Sequence, residues 1–222
     1  MLTPEYIVTG LGLLLVVWYL VAAIYNRRFG LRAYRWLQSG LTELGDPKSV
    51  QASWIGSSGS GARIGMQQAK IPFRRLELVY LLESRELAPL WLIDVLRGKR
   101  DQFILRGTLR TKPTGELEVL PDKTRTRKAL AQETAFPWTV TGGPYDLLIA
   151  RRGSTEQQAE WLGPFLEKYG PNLKRFSWGS QDPHLLIILR LAGLSNYEAT
   201  TLFQDIRQAA GWQPNGNESQ DG

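Results

Sequence analysis

The 222-residue chain contains no cysteine and a single histidine, His184. The first absence removes thiolate nucleophiles, disulfide staples and iron–sulfur clusters. The second removes Cys/His zinc centres and any site built on paired imidazoles. No cofactor and no metal are expected. A lysine-bearing phosphate loop is missing too: Gly56 and Gly61 have the glycine spacing of a P-loop, but Ala62 and Arg63 stand where that motif needs lysine and a hydroxyl. Gly59-Ser60-Gly61-Ala62-Arg63-Ile64-Gly65 misses the dinucleotide spacing by one residue, so the segment reads as a loop between strands. There is no Gly-x-Ser-x-Gly elbow. His184 follows Asp182-Pro183 and could serve as a base only if a carboxylate oriented it, so a histidine at a strand edge is the simpler expectation.

Charge is absent from one long stretch. From Ile7 to Tyr25 nineteen residues carry none, and a helix of that length covers about 28 Å, close to the hydrocarbon thickness of a bilayer. A transmembrane helix over 7–25 is expected. Residues 1–6 carry Glu5 and no Lys or Arg, which disfavours a cleaved signal peptide. Trp18, Tyr19 and Tyr25 toward the far end suit a bilayer interface. Lys and Arg next to a span stay on the cytoplasmic side. Since Arg27, Arg28, Arg32 and Arg35 follow the span, the expected location is the cell membrane, single-pass, N-terminus outside and the bulk cytoplasmic. Gly10-Leu11-Gly12 lacks the small-xxx-small spacing of a packed helix pair.

Residues 26–44 read as a basic amphipathic juxtamembrane helix. Phe29, Ala33, Trp36, Leu37, Leu41 and Leu44 recur at three- and four-residue intervals on one face, with Arg28, Arg32 and Arg35 on another. Such a helix can lie in the headgroup layer, which makes Arg27, Arg28, Arg32, Arg35 and Trp36 membrane-interface candidates. Its apolar stripe can equally pack on the protein's own domain. Both readings stay open.

The remainder reads as α+β in two small lobes, a β-rich basic lobe over 45–135 and a strand-helix-strand-helix lobe over 136–212, with a polar tail at 213–222 expected to be disordered. Strands are expected over Ser49–Ile55, Ala62–Ile71 and Phe73–Leu82, then a helix over Glu86–Arg97 with Pro89 near its start and Gly98 past its end. Phe103 to Leu109 alternates at the strand period and should form a hairpin with Glu116–Leu120 through Lys112-Pro113-Thr114-Gly115, setting Glu116 and Glu118 against Arg110 and Thr108. Residues 121–144 should be a loop or short helix between the lobes. In the second lobe, Tyr145–Arg151 and Leu185–Leu189 are core strands. Ser154-x-x-Gln157 and Ser195-x-x-Glu198 have capping-box spacing before helices, and Gly163-Pro164 should break or kink the first of these.

Charge is unevenly divided. Residues 48–152 hold eighteen Lys/Arg against ten Asp/Glu, while residues 153–222 hold five against eight. Held under an anionic leaflet, the basic half would be drawn to headgroups, with Arg74, Arg75, Lys99, Arg100, Lys123, Arg125, Arg127 and Lys128 as candidate contacts. Leu90, Trp91, Ile93 and Val95 belong to a segment apolar on nearly every side. It is either sandwiched in the core or a patch that docks on the bilayer or another membrane protein. Nucleic acid competes for the same cations, but no helix-turn-helix, RNP or KH signature appears, and it is disfavoured. The function this suggests is a membrane-anchored binding or scaffold protein, an accessory or assembly factor for another membrane complex, rather than an enzyme. The alternatives are a membrane-surface enzyme acting on a lipid or phosphorylated substrate, and an RNA- or ribosome-associated protein.

Overall fold

The helix that begins in the apolar run does not stop where the run does. In the computed structural model, which describes residues 4–56, 60–132 and 138–212, α1 continues from Pro4 to Leu44 as one helix of 41 residues. That is about 60 Å, twice a hydrocarbon core. No proline interrupts it, and it ends where Gly45 meets Asp46-Pro47. Its two halves differ in surroundings. From Glu5 to Val21 every residue is exposed, whereas Ala22, Asn26, Gly30, Ala33, Leu37, Leu41 and Leu44 are buried. Their three- and four-residue spacing is one helical stripe facing the rest of the protein. Of the two readings of 26–44, the structure takes the second: the apolar stripe packs on the chain's own domain, and each leucine so buried contributes roughly 1.5–3 kcal/mol.

That domain is built on one nine-stranded sheet, antiparallel throughout, in the order β1-β2-β3-β4-β9-β8-β5-β7-β6. The strands are β1 Val50–Ile55, β2 Gly61–Met66, β3 Phe73–Leu81, β4 Gln102–Leu109, β5 Glu116–Pro121, β6 Thr139–Gly142, β7 Leu147–Arg152, β8 Leu173–Trp178 and β9 Leu185–Arg190. The remaining helices are α2 Ala88–Leu96, α3 Thr124–Gln132, α4 Glu156–Tyr169, α5 Leu191–Leu194 and α6 Ala199–Ala209. The two halves of the chain therefore do not build separate sheets, since β4 pairs with β9 and β5 lies between β7 and β8. The tail at 213–222 and residues 1–3 lie outside the described residues.

The expected β4–β5 hairpin does not form. β8 and β9 stand between the two strands, a gap of about 14 Å at the spacing of neighbouring strands, and residues 110–115 are long enough to cross it. The run Leu185-Leu186-Ile187-Ile188-Leu189 explains the insertion. It is apolar on both faces, and β9 occupies the fifth of nine positions, at the centre of the sheet, with a hydrogen-bonded strand on either edge. β8 went unrecognised in the sequence because a bulge between Leu173 and Arg175 sets Leu173 and Phe176 three residues apart, out of strand period. α4 continues through Pro164 without ending. The N-caps are Thr155 and Glu198 rather than Ser154 and Ser195, and neither makes a side-chain cap hydrogen bond.

Helices cover one face of the sheet. Trp36 of α1 and Phe203 of α6 meet Phe103 of β4, while Phe165 and Tyr169 of α4 pack with each other and Phe165 with Phe176 of β8. α1 runs opposite to β3: Asn26 lies by Glu83, the Tyr80 hydroxyl donates to the Gly30 carbonyl, and the Lys70 amide donates to Leu44. The C-terminal end of β3 thus points toward the exposed half of α1, and the N-terminal end points away from it.

Candidate membrane-apposed interface

The exposed and buried halves of α1 meet at a buried polar joint. Asn26 is fully buried one residue past the apolar run. Its side-chain carbonyl accepts from Arg85 Nη1 at 2.9 Å, and Arg85 Nη2 pairs with Asp101 Oδ2 at 2.7 Å. The other Asp101 oxygen accepts from the Glu83 amide at 2.7 Å. The Arg85 guanidinium also sits 5.3 Å from the centre of the Tyr25 ring. One arginine therefore ties α1 to both ends of the β3–β4 connection. None of these roles was read from the sequence, although a lone asparagine on the buried stripe was the available signal.

From that joint the chain climbs alongside the exposed half of α1. Trp18 Nε1 donates to the Arg85 carbonyl at 2.8 Å, and the Trp18 and Trp91 rings lie 5.7 Å apart. Trp18 is eight residues before Asn26, about 12 Å along the helix axis. α2 itself has no buried residue. Leu87, Leu90, Leu92, Ile93 and Leu96 are 58, 57, 53, 42 and 78% exposed, and Trp91 and Val95 are partly so. The core reading of this segment is thus corrected: α2 is an exposed apolar helix, and Leu87, Leu92 and Leu96 join the four residues expected there. Its one charge, Asp94, is paired with Lys99 at 2.7 Å. Arg100 Nη1 donates to the carbonyls of Val95 and Lys99, satisfying the helix end.

The structure separates the expected cationic contacts. Arg27, Arg28, Arg32 and Arg35 are exposed along the outer side of α1, with Arg32 over the Phe29 ring at 5.8 Å. Trp36 instead turns inward, and its indole N–H donates to the Tyr197 carbonyl at 2.8 Å. Lys99 and Arg100 lie beside α2 at the end of the sheet nearest the exposed half of α1. Lys174 belongs to the same neighbourhood. Burial, reinforced by Arg190 and Arg100, lowers its pKa, while Glu83 and Asp101 oppose the shift. Arg74 and Arg75 begin β3 at the opposite end of the sheet. The six residues from Arg75 to Leu81 span about 20 Å, well beyond one Debye length at physiological salt. Lys123, Arg127 and Lys128 belong to the segment following β5, and Arg127 forks onto Asp122, holding that carboxyl below its usual pKa. The side chain of Arg125 lies outside the described residues.

The sheet face away from α1, α4 and α6 presents mixed chemistry. Ile104, Leu186 and Ile188 are half-buried along its middle. On one side Glu77 joins Arg63 at 2.8 Å and Arg106 at 3.8 Å. On the other, Glu118 accepts from Arg175 Nε and Nη2 and from Ser177, and Glu116 pairs with Arg152, whose guanidinium lies 4.5 Å over Trp138. Glu116 and Glu118 thus meet Arg152 and Arg175, because β7 and β8 rather than β4 flank β5. These groups line an open groove of about 470 Å³. His184 caps a strand: its Nδ1 accepts the Leu109 amide at 3.1 Å, and Asp182 is engaged by Thr108.

Comparison with known proteins finds no family model that matches the chain and no curated protein that resembles it. Among the described residues, one helix is long and apolar enough to cross a membrane, with mean hydropathy 2.5 over its best window, of which 6% is buried.

Proposed function

We propose that this is a single-pass membrane protein, N-terminus outside and sheet domain in the cytoplasm, that binds and holds a second membrane protein as an accessory or assembly factor, without chemistry of its own. The observation that carries the reading is the continuity of α1 from its exposed apolar half into the domain core, locked by Asn26, Arg85 and Asp101. An ordinary tether is a flexible linker, whereas here anchor and domain are one body, so the sheet is presented at fixed height and orientation. Tethering raises the local concentration of that surface near a membrane partner. The uncovered sheet face, with half-buried isoleucines between arginine–glutamate pairs, has the apolar centre and polar rim of a binding surface.

Affinity purification from gently solubilised membranes tests this reading. A membrane protein should co-purify with the wild-type chain and be lost from an Ile104→Arg, Ile188→Arg variant that still integrates into membranes. Recovery of the bait alone, together with turnover of a lipid phosphate, would favour an enzyme using the groove between Glu116, Glu118, Arg152 and Arg175. Those carboxylates already accept from arginines, which leaves no free base among them.

A further inference from the structure

We infer that α2 is a second membrane element: a short helix immersed in the acyl chains of the cytoplasmic leaflet, lying beside the end of the α1 span. The inference rests on the reading of α1 as a span and adds to it. Two contacts fix the depth. Arg85 is held at the level of Asn26, just past the apolar run, while the Arg85 carbonyl and the Trp91 ring both reach Trp18. Trp18 lies two turns inside that run, so α2 is carried into the same layer that receives the last turns of the apolar run.

The side chains match that position. A helix packed in a protein core shows buried residues, and an exposed helix in water shows a polar face; α2 has neither. Leu87, Leu90, Leu92, Ile93 and Leu96 are all exposed, on more than one side of the helix. Val17 and Val21, which flank Trp18 on α1, and Ile24 are exposed as well. The Trp18–Trp91 contact names the occupant: it seats α2 against the apolar run, so what covers that run there reaches α2, and for a lone span that is lipid. The single carboxylate, Asp94, is neutralised by Lys99, as a charge near hydrocarbon must be. Arg97, Lys99 and Arg100 return the chain to water at its end, where long cationic side chains reach the headgroups.

Because the chain has no cysteine, single-cysteine variants can each carry one nitroxide label. The full-length protein is reconstituted in vesicles of phosphatidylcholine and phosphatidylglycerol. Collision with oxygen, which concentrates in the acyl region, is then compared with collision with a water-soluble nickel chelate. Leu92→Cys and Leu96→Cys should show an oxygen-to-nickel ratio several-fold above that of Lys48→Cys, but below that of Leu14→Cys at mid-span. If Leu14→Cys reads as lipid while Leu92→Cys and Leu96→Cys read as aqueous, or as shielded from both reagents by another protein, α2 is not immersed and the inference fails with the anchor intact. If Leu14→Cys itself reads as aqueous, the anchor reading fails and the inference falls with it.

Discussion

At the scale of single residues, burial decides which ion pairs matter. Arg85 and Asp101 have side chains 19 and 8% exposed, whereas the Arg63 side chain paired with Glu77 is 59% exposed. Removing one partner of a buried pair leaves the other charge uncompensated, while exposed pairs contribute little. Arg85→Ala should therefore destabilise the protein by roughly 3 kcal/mol, and Arg63→Ala by less than about 1 kcal/mol. Thermal unfolding of the detergent-solubilised protein compares the two, and equal losses would contradict the joint's importance. Tyr80 gives a pH signature. Its hydroxyl is buried against the Gly30 carbonyl, and burial together with nearby Tyr34 pushes its pKa from 10.0 up to about 12. The folded state holds this proton more tightly than the unfolded chain. Its contribution to stability is complete below pH 10 and is lost as pH rises toward 12. Tyr169, buried and donating to Asp205, is shifted the same way. Tyr80→Phe should lower stability at neutral pH by about 1 kcal/mol through the lost hydrogen bond, yet flatten its decline in this alkaline window. Denaturant titrations at a series of pH values read both effects.

At the scale of elements, α1 and α6 approach so closely that a side chain at Gly40 has no room. An added Cβ would lie 2.7 Å from the Ala199 carbonyl carbon and 2.7 Å from the Phe203 ring. Backbone cannot yield there as a flexible side chain could. Gly40→Val should cost about 3 kcal/mol or more and loosen the lower half of α1, detectable as faster amide exchange in both helices. Gly65→Ala is the control, since the nearest atom to its added Cβ is 3.9 Å away. Local pattern revealed these elements far better than their partners. The alternation from Phe103 to Leu109 and the nineteen uncharged residues from Ile7 to Tyr25 were plain in the sequence, and β3 was placed to within a residue. What pairs β4 was not: a turn signal at Pro113 to Gly115 looks the same whether the chain doubles back or steps over two strands, and only the doubly apolar β9 hinted at a strand to be inserted. The apolar composition of α2 was legible, but it pointed to the core as readily as to the surface. Its exposure follows from Arg85 and Trp91 meeting Asn26 and Trp18, which lie more than fifty residues earlier.

At the scale of the whole molecule, α1 passes from its exposed apolar half into the sheet domain without a break, and for the proposed anchor the direction of that helix is the property on which the rest of the function turns. The flanking charges argue for one direction: Glu5 precedes the apolar run and Arg27, Arg28, Arg32 and Arg35 follow it, all four exposed. Burial of the stripe from Ala33 to Leu44 takes nothing from that argument, because the arginines lie on the other side of the helix. The absence of cysteine makes the direction measurable. A membrane-impermeant maleimide applied to intact cells should label Glu5→Cys, while Lys48→Cys should react only after the membrane is opened. Lys48 follows the far end of α1, twenty-two residues beyond Asn26, so no tilt of a rigid helix could bring it to the outer surface while Tyr25 stays at the inner one. Labelling of Lys48→Cys in intact cells would reverse the topology, place the sheet outside, and remove the cytoplasmic leaflet as the neighbour of α2.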